Sequence, residues 1–228
     1  MKSLPCCPRC HSDLLAPSLW STSWRCESHG DVAPLHAVAP VTGEAVRTGV
    51  ERSRVPVWLL WPLPPGWLVT GIAWAGDERA PAVASAVALS GPALVGGPAD
   101  LVLVAEEPGV GVASGLAGRE LVDPDPSTMA GPPATRVATG GRPAPLWSVP
   151  TAEPRSGPMA GPSGTVSDAA VSDAAVYAGE ASGCWLWALA WPSETGLELY
   201  DGAELVDLRD PGHPLDLPFG AASPRLPH

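Results

Sequence analysis

Two short cysteine and histidine pairs near the start of the chain form its clearest chemical pattern. Cys7 and Cys10 are separated by two residues, and fifteen residues later Cys26 and His29 repeat that spacing. A gap of two residues lets one tight turn direct both side chains at a single ion, and zinc prefers tetrahedral sulfur and nitrogen ligands. We therefore predict that Cys7, Cys10, Cys26 and His29 bind one zinc ion.

Other interpretations of the same residues are weaker. Cys6 is the surplus thiol because it precedes the turn-setting Pro8, and His11 and His36 are reserve ligands. A redox pair would require an apolar strand before the cysteines and a helix after them, and only "MKSLP" precedes them. A site closed by four protein ligands leaves no position for substrate, so the predicted zinc is structural and no catalytic residue is assigned. Trp20 and Trp24 are expected to form the small core of this module.

A glycine-rich segment offers the alternative, a small-molecule enzyme with a site near residues 105–118. The sequence "AEEPGVGVASG" follows an apolar strand, which favours an acyl- or phosphoryl-transfer-like loop. Its third glycine comes one residue late for a dinucleotide loop, and Glu106 and Glu107 would repel a pyrophosphate. As adjacent residues on a strand, these two carboxylates should also point to opposite faces of the sheet.

Composition excludes several functional classes. The 228 residues carry a net charge of −11, and Lys2 is the only lysine, so a phosphate-binding loop lysine and a Schiff-base lysine are absent from the body of the chain. The arginines are scattered singly, so there is no basic stripe and we expect no nucleic-acid partner. Pro and Gly supply 29 and 25 residues, which argues against a helical bundle.

The uncharged segment 55–76 is long enough to span a bilayer, but its prolines would break the backbone hydrogen bonding there. We predict a buried loop and strand instead, and a cytoplasmic protein, because the first residues show no signal-peptide pattern. Trp58, Trp61 and Trp67 in this segment either line an aromatic groove for a partner or cover the sheet face that carries the tryptophans of 184–191.

The remaining pattern predicts an α+β, β-rich fold with a mainly antiparallel sheet and few short helices. A zinc-ribbon-like module occupies residues 1–38, and a β-rich domain occupies residues 50–220. Flexible loops are expected at 123–135 and 150–176, where turn residues and low complexity dominate. Strands are predicted at 68–74, 83–89, 101–105 and 184–191, a hairpin at 197–208, and a helix near 111–121.

The chain resembles an uncharacterised actinobacterial family, a domain of unknown function that also begins with a CPxC…CxxHG segment. The resemblance rests on "CPRC", "CESHG" and the segments 55–77, 90–118, 141–149, 175–192 and 196–210. It implies a folded protein with a zinc-ribbon-like start, in which His11 replaces the glycine usual after the first pair. Members are sometimes labelled phosphotransacetylases, whose motifs the chain lacks. We therefore expect a non-enzymatic cytosolic zinc-binding interaction or regulatory module, with a protein or small-molecule partner.

Overall fold

The computed structural model describes residues 4–19, 21–125, 129–150, 173–200, 202–212 and 216–227. Trp20, three residues of the first predicted loop (126–128) and most of the second (151–172) lie outside the described residues. The structure is β-rich, with 41% strand and 11% helix. Its strands are β1 (Trp24–Cys26), β2 (Gly30–Val32), β3 (Leu35–Val38), β4 (Trp58–Trp61), β5 (Leu68–Ala75), β6 (Ala84–Pro92), β7 (Pro98–Glu106), β8 (Thr135–Thr139), β9 (Arg142–Ser148), β10 (Ala175–Ala181), β11 (Cys184–Trp191) and β12 (Glu204–Asp207).

Ten of these strands form one large sheet, in the order β3-β5-β6-β7-β11-β10-β9-β8-β12-β4. Every neighbouring pair is antiparallel except β8 and β12, which run parallel. The edge strand β4 contacts β6 and β7, so the sheet curls back over its own centre. The short strands β1 and β2 form a separate antiparallel hairpin.

The central strands are buried on both faces, which explains their nearly continuous apolar sequence. In β6, Val87 and Leu89 belong to the core enclosed by the curled sheet, whereas Ala84, Ala86 and Ala88 face a second core on the other side. The strands predicted at 83–89, 101–105 and 184–191 are therefore confirmed, and the last coincides with β11.

Two helices and one 3₁₀ helix complete the fold: α1 (Gly43–Arg52), α2 (Val112–Leu116) and the 3₁₀ helix Ser193–Leu199. The sequence analysis missed α1, whose buried residues are only Ala45, Val46 and Gly49. Thr42 caps this helix by accepting a hydrogen bond from the Ala45 amide at 3.2 Å. A Cβ on Gly49 would lie 2.7 Å from Ile72, so this glycine is what lets α1 approach β5 closely.

The structure differs from the predicted β-domain at three places. The hairpin at 197–208 does not form, because residues up to Leu199 turn as a 3₁₀ helix and β12 pairs with β4 and β8. In β5 a bulge between Val69 and Gly71 shifts the alternation, so Val69 joins Ile72 in the enclosed core and Leu68 is exposed. The helix near 111–121 is confirmed only as the five residues of α2.

The two predicted loops end earlier than expected. Thr135 already belongs to β8, and Ala175 begins β10. Thr135 pairs with Leu146 of β9, and Ala175 pairs with Ala190 of β11, so the last residues of both predicted loops already belong to the sheet.

Candidate metal centre

The first cysteine pair lies on a tight turn that is closed by backbone hydrogen bonds. The His11 amide donates to the Cys7 carbonyl at 2.9 Å, and the Cys7 amide donates to the Ser12 carbonyl at 2.9 Å. This turn brings the thiols of Cys7 and Cys10 to the same side, as the spacing of two residues predicts.

The second pair lies on the turn between β1 and β2. Cys26 is the last residue of β1 and pairs with Gly30, the first residue of β2, which leaves His29 on the connection. Gly30 has φ +70°, a left-handed backbone conformation that few other residues adopt without strain. The hairpin thus returns the chain within three residues and directs Cys26 and His29 at the first turn.

The ligand atoms of these four residues all lie within 4.8 Å of one another. The sulfurs of Cys10 and Cys26 are 3.7 Å apart, and His29 Nδ1 lies 3.5 Å from the sulfurs of Cys7 and of Cys26. A tetrahedral zinc site, with bonds of about 2.3 Å to sulfur and about 2.0 Å to nitrogen, has edges of about 3.8 Å and about 3.5 Å. The cluster therefore has the dimensions of a metal site, and its donor set suits a soft divalent ion.

The pKa values of the two most buried thiols of the cluster, Cys7 and Cys26, are shifted in opposite directions. Burial raises the pKa of Cys7 to about 12, whereas the Ser12 hydroxyl, 3.4 Å from the Cys26 sulfur, and His29 lower the pKa of Cys26 to about 5. A thiol must lose its proton to bind a metal, so metal binding at this cluster releases protons, with Cys7 the hardest to ionise.

The other candidate ligands lie outside this cluster. Cys6 pairs through its backbone with Leu35 of β3, and burial raises the pKa of its thiol to about 11. His36 stacks on Trp74 with ring centroids 6.0 Å apart, and His11 points instead towards α2. Among the described residues, neither histidine belongs to a metal-binding group.

The glycine-rich segment does not gather its polar groups. Glu106, at the end of β7, is 2% exposed, and its carboxylate accepts a hydrogen bond from the Val112 amide at 2.7 Å. Glu107 points away and forms a bidentate ion pair with Arg54, with both contacts at 2.6 Å. The Glu106 carboxylate already accepts at the first turn of α2, and its negative charge would repel a phosphate there, which argues against the dinucleotide-loop interpretation.

Of the three tryptophans considered for an aromatic groove, Trp58 and Trp67 are core residues and Trp61 is partly buried against the same core, which argues against the groove alternative. Trp58 and Trp67 are each 3% exposed and pack in the core enclosed by the curled sheet. Trp187 and Trp191 belong to the second core, on the opposite face. The expected contact between the two groups is therefore also wrong, because the sheet separates them.

The sequence analysis missed a contact between the first cysteine turn and α2. The Arg9 guanidinium donates to the carbonyl of Gly109 and, at 3.3 Å, to that of Val110. A Cβ on Gly115 of α2 would collide with the Pro8 carbonyl oxygen. The signal in the sequence is the glycine at 115, which the sequence analysis considered only as the third glycine of a dinucleotide loop.

Comparison with known proteins places the chain in a family. A family model described as a family of unknown function matches residues 1–226. The chain belongs to DUF6758. The match covers the cysteine cluster and the whole sheet of this DUF6758 chain. No curated protein and no solved structure matches the chain.

A separate finding concerns segment 55–76. In the described ranges of the chain, no helix has the length and apolarity needed to cross a membrane. The segment instead contributes β4 and β5, which agrees with the predicted loop and strand.

Proposed function

We propose that the N-terminal region is a zinc-ribbon-like module in which Cys7, Cys10, Cys26 and His29 bind one zinc ion. The observation that carries this proposal is the agreement between the 3.7 Å and 3.5 Å separations of the ligand atoms and the edges of a tetrahedral zinc site. Four protein ligands fill the coordination sphere, so the ion stabilises the fold of the module and does not activate water.

We further propose that the protein acts as a non-enzymatic cytosolic interaction or regulatory module. Supporting this, Leu4, Leu15 and Leu19 of the module are 88%, 62% and 99% exposed, which favours a protein partner at this surface. A reducing compartment would keep Cys7, Cys10 and Cys26 available as thiolate ligands for the proposed zinc. An acyl- or phosphoryl-transfer site at 105–118 is not part of the proposal, because Glu106 and Glu107 are each engaged elsewhere.

Metal analysis of purified protein tests the zinc proposal. We expect one zinc per chain, and we expect Cys7→Ser, Cys10→Ser and Cys26→Ser each to lose it, because a neutral hydroxyl is a poor zinc ligand. Cys6→Ser is the matched control and should retain full zinc. His29→Ala should lower the affinity more than His11→Ala or His36→Ala. Full zinc in Cys7→Ser together with loss in Cys6→Ser would show that the ligand set is wrong.

The interaction proposal needs its own variants. The double substitution Leu15→Ser and Leu19→Ser should abolish partner binding while leaving the zinc content unchanged, because neither leucine belongs to the cluster. The matched control is Leu94→Ser with Val95→Ser, which changes two exposed apolar residues at the turn between β6 and β7. Equal partner binding by the two double variants would contradict a partner surface on the module.

A further inference from the structure

A pocket of about 310 Å³ lies where the first cysteine turn, α2, the end of β11 and the C-terminal segment meet. Its volume is at the lower end of the range for small-molecule sites. Its walls combine apolar side chains with polar groups that come from separate elements. The lining side chains used below are His11, Leu116, Trp191, Arg225 and Leu226.

Arg225 presents a fixed guanidinium at this pocket. Its Nε donates to the Asp100 carboxylate at 2.9 Å, and its Cζ lies 4.7 Å from the centre of the Trp191 ring. Asp100 in turn accepts a hydrogen bond from the Ser90 hydroxyl at 2.7 Å, so the ion pair is held from β6 and β7. Among the described residues, the two terminal nitrogens of Arg225 make no hydrogen bond. Such a fork fits the two oxygens of a carboxylate or phosphate.

His11 supplies a second polar group. Its Nε2 is buried and has no hydrogen-bond partner within the described part of the chain, which is costly for a polar atom. Its backbone also has φ +57°, a conformation that favours glycine. The backbone angle belongs to the cysteine turn, where related chains have glycine, but the unpaired nitrogen at the wall of the pocket would gain its missing hydrogen bond from a ligand that reached it.

We propose that this pocket binds a small organic acid, with its carboxylate or phosphate group on Arg225 and His11. The apolar body of the ligand packs against Leu116, Trp191 and Leu226. Asp100 neutralises part of the Arg225 charge but occupies only Nε, so it positions the guanidinium and leaves the fork for the ligand. The inference depends on the proposed zinc module only for one wall of the pocket, because His11 directly follows Cys10, a proposed zinc-binding residue.

Titrations with benzoate, phenyl phosphate and inorganic phosphate, followed by NMR of zinc-loaded protein, test this site. Benzoate or phenyl phosphate should shift the signals of His11, Gly115 and the Trp191 indole in a saturable manner. Benzamide, the uncharged counterpart of benzoate, should bind at least about tenfold more weakly, because it cannot form the charged fork. Tighter binding of benzoate than of phenyl phosphate identifies a carboxylate ligand, the reverse order a phosphate ester, and both support the site. Inorganic phosphate binding as tightly as either would overturn the apolar subsite.

Two variants assign the binding to its residues. Arg225→Lys keeps a charge for Asp100 but removes the fork, and His11→Gly removes the imidazole while fitting the backbone angle; each should weaken benzoate binding about tenfold or more. Arg209→Lys is the matched control, since Arg209 forms a similar pair with Asp207 at 2.7 Å outside the pocket. If Arg225→Lys does not fold, the benzoate affinity of His11→Gly alone tests the site.

Three results would overturn the proposal: no saturable shift with either organic anion, equal binding of benzamide, or unchanged affinity in a folded variant. A protein that holds no zinc yet binds benzoate through Arg225 would refute the zinc module and retain the pocket.

Discussion

Glu106 is a buried carboxylate that caps a helix, a role that its neighbours in the sequence do not indicate. Gly111, which precedes α2, has no side chain to cap the helix, and Glu106 supplies the missing acceptor from the end of β7. Burial raises the pKa of this carboxyl to about 7, with the nearby Asp123 contributing, while hydrogen bonds from the amides of 111–113 oppose the shift. Glu106 therefore anchors the start of α2 to the end of β7.

The raised pKa makes the effect of Glu106 on stability depend on pH. The folded state holds the proton more tightly than the unfolded state, so the stabilising contribution is complete below about pH 4.5 and is lost as the pH rises past about 7. Glu106→Gln mimics the protonated form at every pH. The difference in free energy of unfolding between this variant and wild type should therefore grow by up to about 3 kcal/mol from pH 5 to pH 8, in favour of the variant. Urea denaturation at both pH values measures this.

Glu107→Gln is the control for this substitution. It removes the partly exposed ion pair with Arg54, so its free energy of unfolding should fall by about 1 kcal/mol or less at both pH values. Parallel pH dependence in wild type and Glu106→Gln would show that Glu106 is ionised at no cost in the folded protein.

At the scale of elements, the contact between the first cysteine turn and α2 depends on the absence of a side chain. The helix approaches the turn so closely that a Cβ on Gly115 would meet the Pro8 carbonyl oxygen and His11 Nε2. Arg9 holds the neighbouring loop through the carbonyls of Gly109 and Val110. These contacts hold the module against α2 and the loop before it. Because they involve backbone atoms, a periodic pattern of apolar residues in the sequence could not predict them.

Gly115→Ala should therefore destabilise the docked arrangement. The carbonyl of Pro8 is backbone and cannot rotate away, so we expect a loss of about 1–3 kcal/mol in free energy of unfolding, typical of overpacking. Gly131→Ala is the matched control, because a Cβ there meets nothing within 4 Å, and it should change stability by less than about 0.5 kcal/mol. Equal stabilities of the two variants in urea denaturation would mean that the module moves aside freely.

Several features of the fold and site could be predicted from the sequence, because their signals are local. The spacing of Cys7, Cys10, Cys26 and His29 indicated a cluster, and the apolar runs of β7 and β11 indicated strands covered on both faces. Whether zinc occupies the cluster remains a prediction. The helix α1 was not predicted because its buried residues are small and give little apolar periodicity. The pairing of β12 was not predicted because it depends on tertiary contacts with β4 and β8. The pocket joins residues more than two hundred positions apart, which no local pattern encodes.

At the scale of the whole molecule, the described residues before β3 join the large sheet through a single bridge, between Cys6 and Leu35. The hairpin β1-β2 has its own register and pairs with no strand of the large sheet, whereas β3, at the end of the predicted module, pairs with β5. Cys6 and Ala33 pack against the second core but are only partly buried there. Stability should therefore differ between the two regions.

Removal of metal should unfold the module and leave the sheet folded. In a chelator, amides of β1 and β2 should lose protection from hydrogen exchange by about a hundredfold or more, because binding free energy is folding free energy in such small sites. Amides of β7 and β11 should keep their protection. Cys6→Ser, which keeps all four ligands, should behave as wild type before and after chelation. Uniform loss of protection across the chain would indicate one cooperative unit.

The pairing of Cys6 with Leu35 has a consequence for self-association. Leu35 donates to and accepts from Cys6 on the side of β3 that faces away from β5, at 2.9 and 3.0 Å. The N-terminal segment thereby covers an outer edge of the ten-stranded sheet, and an open edge is a template on which other chains can add strands. If the proposed zinc ion holds the module together, loss of the ion would uncover that edge, and the ion would then also protect the whole protein from aggregation.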